Sequence, residues 1–77
     1  MKNLKRITFD PNIMGGKPCL KNTRVTVSTI VGLIAEGYSK NDILKAYPYL
    51  ESEDITEALK YAAWRSEEVE IPFNQAI

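Results

Sequence analysis

The segment from residue 10 to residue 25 constrains the fold of this chain more than any other part of the sequence. It holds two of the four prolines and two of the four glycines in 77 residues. Proline fixes φ and glycine allows positive φ, so Gly15 and Gly16 followed by Pro18 specify one backbone path. Pro11 ends the element before it, because proline has no N–H to donate to a strand ladder. We therefore predict a rigid loop that presents side chains.

Short strands are expected on both sides of this loop. Ile7 and Phe9 alternate with polar residues, which is the spacing of a strand. Residues 19–20 and 24–25 bracket three residues and predict a short hairpin. Residues 1–6 precede these elements as a basic arm.

Three helices follow the hairpin. Thr26 or Ser28 is suited to cap the first helix, because a hydroxyl accepts a bond from a first-turn amide. The apolar spacing i, i+3, i+4, i+7 defines its inward face at Val27, Ile30, Val31 and Ile34. Gly37 supplies a left-handed stop after this helix.

The second and third helices show similar signals. Ser39 and Asp42 form a near capping box at the start of the second helix, and Pro48 ends it. Ser52 is predicted to cap the third helix. The inward faces of these two helices are predicted at Ile43, Leu44 and Tyr47, and at Ile55, Ala58, Leu59, Ala62 and Ala63.

The elements together predict a mainly α, three-helix, helix-turn-helix-like domain with a short N-terminal β element. A length of 77 residues fits one domain, 1–77. We divide it into a basic arm (1–6), a β-hairpin region (7–25), a trihelical unit (26–67) and an acidic-apolar tail (68–77).

Composition excludes several classes of function. One cysteine and no histidine cannot form a disulfide within the chain, a Cys/His metal site or a Ser-His or Cys-His nucleophile pair. We therefore predict a protein that is not an enzyme and binds no cofactor or metal. A core this small is marginal, which favours a homodimer. The single thiol, and the absence of a signal-peptide or membrane-spanning pattern, indicate the cytoplasm.

Charge is unevenly distributed along the chain. Residues 1–24 carry six basic and one acidic side chain, whereas residues 51–77 carry two basic and seven acidic ones. The net charges of +5 and −5 predict a cationic surface and an acidic surface for two different partners. The alternative is chance clustering of charge in a short chain.

The cationic half is the candidate for DNA contacts. Carboxylates crowd the start of the third helix, where a helix-turn-helix protein usually reads bases, and DNA repels them. Phosphate contacts are therefore predicted on the arm and hairpin, at Lys5, Arg6, Lys17, Lys21 and Arg24. The alternative is a solvated basic face that binds no nucleic acid.

The acidic half is the candidate for protein contacts. On a helical projection Trp64 lies opposite Ile55, next to Tyr61, and an outward aromatic pair is typical of interfaces. The tail alternates apolar and acidic residues at strand spacing. A partner surface is predicted at Tyr61, Trp64, Val69, Ile71 and Phe73. The alternatives are that Trp64 folds back onto the monomer and that the tail frays.

Several motifs also resemble a known family. They are Ile7-Thr8-Phe9-Asp10-Pro11, Gly15-Gly16-Lys17-Pro18, Thr23-Arg24-Val25-Thr26-Val27, Gly37-Tyr38-Ser39, Ile43-Leu44 and Tyr47-Pro48-Tyr49-Leu50. Over residues 5–67 the chain resembles the domain of unknown function 433 family of short prokaryotic proteins. The resemblance implies a homeodomain-like or winged-helix-like fold. It also implies the antitoxin of a toxin–antitoxin pair, encoded beside a nuclease-like protein of PIN-type fold.

The sequence therefore favours an antitoxin-like protein that binds a nuclease-like toxin, with operator DNA as a second expected partner. The alternative is a dimeric interaction or adaptor module that does not bind DNA.

Overall fold

The computed structural model describes residues 4–68. The elements in chain order are β1 (Ile7–Thr8), a 3₁₀ turn (Met14–Gly16), β2 (Cys19–Leu20), α1 (Val27–Ala35), α2 (Lys40–Ala46) and α3 (Ser52–Glu68). Three helices after a two-stranded sheet confirm the predicted mainly α class with a short N-terminal β element.

The sheet joins β1 to β2. The strands are antiparallel, with Ile7 opposite Leu20 and Thr8 opposite Cys19. The predicted hairpin at residues 19–25 is present as a tight turn, because the Leu20 N–H donates to the Val25 carbonyl at 2.9 Å. The strand that pairs with β2 in the sheet is nevertheless β1. The sheet therefore joins the two segments that flank the glycine-rich loop.

The glycine-rich loop follows the backbone path that its composition predicts. Gly15 and Gly16 have φ of 66° and 85°, in the left-handed region that favours glycine. The Asp10 carboxylate accepts the Asn12 N–H at 2.9 Å, and the Asp10 carbonyl accepts the Ile13 N–H at 2.9 Å. These bonds turn the chain back toward β2.

The helix boundaries agree with the capping signals in two of three cases. Thr26 caps α1, since its hydroxyl accepts the Thr29 N–H at 3.1 Å. Ser39 and Asp42 form a complete capping box on α2. The prediction for Ser52 was wrong by one position, because Ser52 is the first residue of α3 and Asp54 accepts the N–H of Glu51 before it.

A single apolar core lies where the sheet, α1, α2 and α3 meet. Its largest fully buried side chains are Leu20, Ile30, Ile43, Ile55 and Cys19. Ala63 was predicted to face this core and is exposed instead, because it lies about 80° around the helix from Ile55, at the edge of the apolar stripe. No helix within residues 4–68 is long and apolar enough to cross a bilayer.

Candidate functional site

The turn between β2 and α1 holds two cationic side chains on a rigid backbone. The Thr23 hydroxyl donates to the Leu20 carbonyl at 2.7 Å and accepts the Val25 N–H at 3.0 Å. These bonds fix the backbone between Lys21 and Arg24, whose side chains are exposed. A small turn fastened at both ends to buried residues presents both charges in a defined arrangement.

Lys5 joins these two cations through the sheet. The Lys21 N–H donates to the Arg6 carbonyl at 2.7 Å, which places the segment before β1 beside the turn. Lys5 and Lys21 then line one groove of about 390 Å³, and Arg24 lines a neighbouring groove of about 580 Å³.

Tyr49 borders both grooves and is 63% exposed. We name the surface formed by Lys5, Lys21, Arg24 and Tyr49 the cationic turn face. None of its three cations forms an ion pair with another residue between 4 and 68.

Arg6 lines the same groove as Lys5 and Lys21, together with Glu51 and Asp54, but its guanidinium is ion-paired, which corrects its assignment as a phosphate contact. Its guanidinium donates to Glu51 at 2.8 Å and to Asp54 at 3.0 Å. The hydrogen bonds that Arg6 donates to Glu51, and then to Asp54, raise the pKa of Arg6 above its ordinary value. The backbone N–H of Arg6 also donates to the Glu57 carboxylate at 2.6 Å. The basic and acidic halves of the sequence therefore meet at Arg6, which corrects the expectation of two separate charged ends.

Lys17 lies apart from the other predicted phosphate contacts. It lines a groove between α1 and α3 with Arg65 and Tyr61. Of the five cations predicted to bind DNA, the structure brings Lys5, Arg6, Lys21 and Arg24 to the two grooves around Tyr49, and among these four only Arg6 is ion-paired within residues 4–68.

An aromatic cluster covers the side of α3 that was expected to face outward. The Tyr61 ring lies 5.8 Å from the ring of Phe9 and 5.9 Å from that of Trp64, between centroids. Tyr61 and Trp64 are half-buried, and Phe9 is 50% exposed. The description of Trp64 as a fully outward side chain was therefore wrong, because the segment after β1 packs along that side of α3.

Two residues of these surfaces were missed in the sequence. Phe9 was taken only as a strand residue, and Tyr49 only as part of the turn before α3. The signal for Tyr49 was its place directly after Pro48, in a segment with no apolar periodicity. Phe9 had no local signal, since its partner Tyr61 is distant in sequence. Val69, Ile71 and Phe73 lie outside the described residues.

Side chains of the metal-ligating types are dispersed over the described part of the chain. Among residues 4–68 there is no group of three or more Cys, Asp or Glu side chains placed to hold a metal ion. The Cys19 thiol is buried in the sheet, as expected of a structural thiol. What the described residues present is two surfaces, the cationic turn face and the aromatic cluster.

Comparison with known proteins agrees with this architecture. The chain is 39% identical over 56 residues to an uncharacterized protein, y4eO, of Sinorhizobium fredii NGR234, and the match covers 73% of this chain and 25% of that protein. It is similar to the crystal structure of a DUF433 member protein from Anabaena variabilis, with a TM-score of 0.78 and 31% identity. That match covers 84% of this chain and 64% of the other. This chain therefore spans about a quarter of the first relative and about two thirds of the second.

A family model gives the assignment. The model described as "Protein of unknown function (DUF433)" matches residues 7–62, which include the glycine-rich loop, both strands, α1, α2 and most of α3. Because this match covers well over half of the chain, the protein belongs to the DUF433 family.

Proposed function

We propose that this chain is a non-catalytic, antitoxin-like protein that binds a nuclease-like partner and contacts operator DNA through the cationic turn face. It acts as a homodimer in the cytoplasm. The nuclease-like partner and the operator are expectations from the family resemblance, and the aromatic cluster and the cationic turn face are the surfaces that would serve them.

One observation supports the DNA contact above all others. Lys5, Lys21 and Arg24 border the two grooves around Tyr49, and none of them forms an ion pair within residues 4–68. Glu51 and Asp54 also line the groove of Lys5 and Lys21, where both carboxylates bind the Arg6 guanidinium. Unpaired cations on a fixed backbone are the elements that neutralise phosphates. An exposed tyrosine among them adds a hydroxyl donor for a phosphate oxygen.

The start of α3 argues against a base-reading role for that helix. Glu51, Glu53 and Asp54 stand within its first residues, and Arg6 compensates only two of them. A duplex that approached this end would meet an excess of carboxylates. We therefore assign the DNA contact to phosphates beside the turn, with α3 acting as a support.

Salt dependence of binding tests this proposal. For three phosphate contacts, counterion release predicts a slope of about −2.7 in log affinity against log salt, or roughly a 40-fold loss between about 50 and 200 mM. Arg24→Ala should flatten the slope by about 0.9. The measurement is a fluorescence-anisotropy titration with the fragment upstream of the gene.

Arg65→Ala is the matched control, because Arg65 is an exposed arginine that lies in the other groove. Its slope should equal that of the wild type. Failure of the wild-type protein to bind the fragment at low salt would remove the DNA half of the proposal.

The aromatic cluster is the surface that we assign to the protein partner. Phe9, Tyr61 and Trp64 form a contiguous aromatic patch, half of the Phe9 side chain is exposed, and aromatic side chains are the usual anchors of interfaces. Pull-down of the product of the adjacent gene should weaken with Trp64→Ala, and also in a chain that ends at Ser66. Tyr38→Ala removes an exposed aromatic side chain elsewhere and should leave binding intact.

A dimeric adaptor that does not bind DNA is the second candidate. It is favoured by the ion pairs of Arg6, which lower the number of cations available to DNA. Sedimentation measurements test the dimer, and the salt titration separates the two candidates. An enzyme would require turnover by the purified protein that is lost in Glu53→Gln, and we expect none.

A further inference from the structure

The groove that contains Lys17 has a composition unlike the other surfaces. It runs between the loop before β2, α1 and α3, with a volume of about 450 Å³. Pro18, Val31 and Ala62 supply an apolar floor, and among residues 4–68 the charged side chains that line the groove are Lys17 and Arg65. An apolar groove flanked by two cations suits a segment that combines apolar side chains with carboxylates.

The chain itself contains such a segment at residues 69–73, which read Val-Glu-Ile-Pro-Phe. The apolar residues stand at alternate positions, so in an extended chain they share one face. Glu70 stands between Val69 and Ile71 in the sequence. Its negative charge is complementary to the positive charges of Lys17 and Arg65. We propose that this groove binds residues 69–73 of the same chain.

The length of the chain is sufficient for this contact. Arg65 lies in the last turn of α3, which ends at Glu68. Glu68 follows Ala62 by six positions in the helix, which corresponds to about 9 Å along the helix axis. An extended chain covers about 3.3 Å per residue. Residues 69–73 therefore supply more than enough extended chain to span the distance from the end of α3 back to the floor beside Ala62.

The groove also shares a residue with the aromatic cluster. Tyr61 lines the groove and contacts both Phe9 and Trp64. A protein that binds the aromatic cluster together with residues 69–73 must first displace this segment from the groove. That consequence rests on the proposed partner surface, whereas the contact within the chain does not depend on it.

Nuclear Overhauser effects in the labelled full-length chain test the contact. We expect cross-peaks between the ring protons of Phe73 and the methyl groups of Val31 and Ala62, at intensities independent of protein concentration. Their absence would overturn the proposal. Cross-peaks found between labelled and unlabelled chains in a mixed sample would overturn it too, because the occupant would then be a second copy.

Charge exchange provides a second test that leaves the core untouched. Lys17→Glu should move the amide shifts of residues 69–73 most of the way to their values in a peptide of residues 67–77. Adding Glu70→Lys should restore them. Lys45→Glu is the matched control, since Lys45 is exposed and lines a different groove, and should leave these shifts unchanged. Unchanged shifts in Lys17→Glu would contradict the proposal. The DNA titration depends on Arg24, which lies outside this groove, and uses Arg65→Ala only as its control, so the two proposals can fail separately.

Discussion

The turn at residues 21–24 and the start of α3 at residues 51–54 differ in what their charges contact. In the turn, Lys21 and Arg24 project from a backbone held by hydrogen bonds of Thr23, and neither cation has an ionic partner among residues 4–68. At the start of α3, by contrast, Asp54 accepts bonds from the Arg6 side chain and from the Glu51 N–H. The charges of the turn are exposed to solvent, whereas two of the carboxylates at the start of α3 are neutralised by Arg6.

This difference teaches that the charge of a sequence block is not the charge of a surface. Arg6 and Arg24 belong to the same cationic block, yet one pairs with the acidic block and the other does not. The choice depends on the β1–β2 pairing, which places Arg6 against α3 and Lys21 beside it. Only Lys5, Lys21 and Arg24 remain as a cationic face.

The largest expected effect comes from the buried side chains that anchor the two regions. Leu20 precedes Lys21, Ile55 follows Asp54, and both are fully buried. Leu20→Ala and Ile55→Ala should each lower the free energy of unfolding by about 2–5 kcal/mol, because each leaves a cavity. Urea denaturation measures this. Leu33→Ala, at a half-buried site, should lower the free energy of unfolding by less than either of them. Equal losses of stability at all three sites would show that neither Leu20 nor Ile55 is a distinct anchor.

A smaller loss is expected where α1 begins directly after the turn. The buried Thr26 hydroxyl accepts the Thr29 N–H and also contacts the Thr29 hydroxyl at 2.8 Å. Thr26→Ala should lower the free energy of unfolding by about 1–2 kcal/mol, since the first-turn amide loses its acceptor. Thr26→Ser keeps the hydroxyl and should retain most of the stability. A full loss in Thr26→Ser would assign the effect to the methyl group instead.

The two arginines allow a direct test of the comparison. Arg6→Ala should lower the melting temperature at low salt, and the difference from the wild type should shrink as salt screens the ion pairs. Arg24→Ala, at an exposed and unpaired site, should leave the melting temperature nearly unchanged and weaken DNA binding instead. Thermal melts over a salt series measure both variants. Equal destabilisation by the two substitutions would show that the Arg6 ion pairs contribute nothing to stability.

The smallest effect is expected at the start of α2, where a helix-start carboxylate has no arginine partner. Hydrogen bonds from the Ser39 backbone N–H, then from its hydroxyl, lower the pKa of Asp42 below its ordinary value of 3.8. A lowered pKa stabilises the fold above the unfolded value, and this stability is lost as the pH falls through the folded pKa. Asp42→Asn should therefore be less stable than the wild type at neutral pH, and the two should converge in acid. A difference in thermal melts that persists in strong acid would contradict this.

Local signals in the sequence were sufficient for most of the fold. The glycines at 15, 16 and 37 have positive φ, and Thr26 and Ser39 cap the helices that they were predicted to cap. These features depend on residues within one turn of each other, so they can be read from spacing. The predicted cap at Ser52 and the predicted inward position of Ala63 were wrong. The exact boundary of a helix, and the side chains that it buries near its end, depend on the elements packed against it.

The candidate site was only partly predictable, because its contacts span the length of the chain. Arg6 reaches residues 45 and 48 positions away in the sequence, and Phe9 reaches Tyr61. No pattern within the first ten residues indicates which helix they will meet. The five cations predicted to bind phosphate were therefore chosen by composition, and the structure separated them into the cationic turn face, one ion-paired residue and one groove residue.

The sequence by itself determined the loop path, the three helices and the caps of the first two, since φ preferences and first-turn hydrogen bonds act between close neighbours. Only the tertiary structure decided which charges are available for binding. Pairing of β1 with β2 brings Arg6 to the carboxylates of α3 and leaves Lys5, Lys21 and Arg24 exposed together. The physical reason is that charges interact through space, so the distances set by folding decide which of them are neutralised.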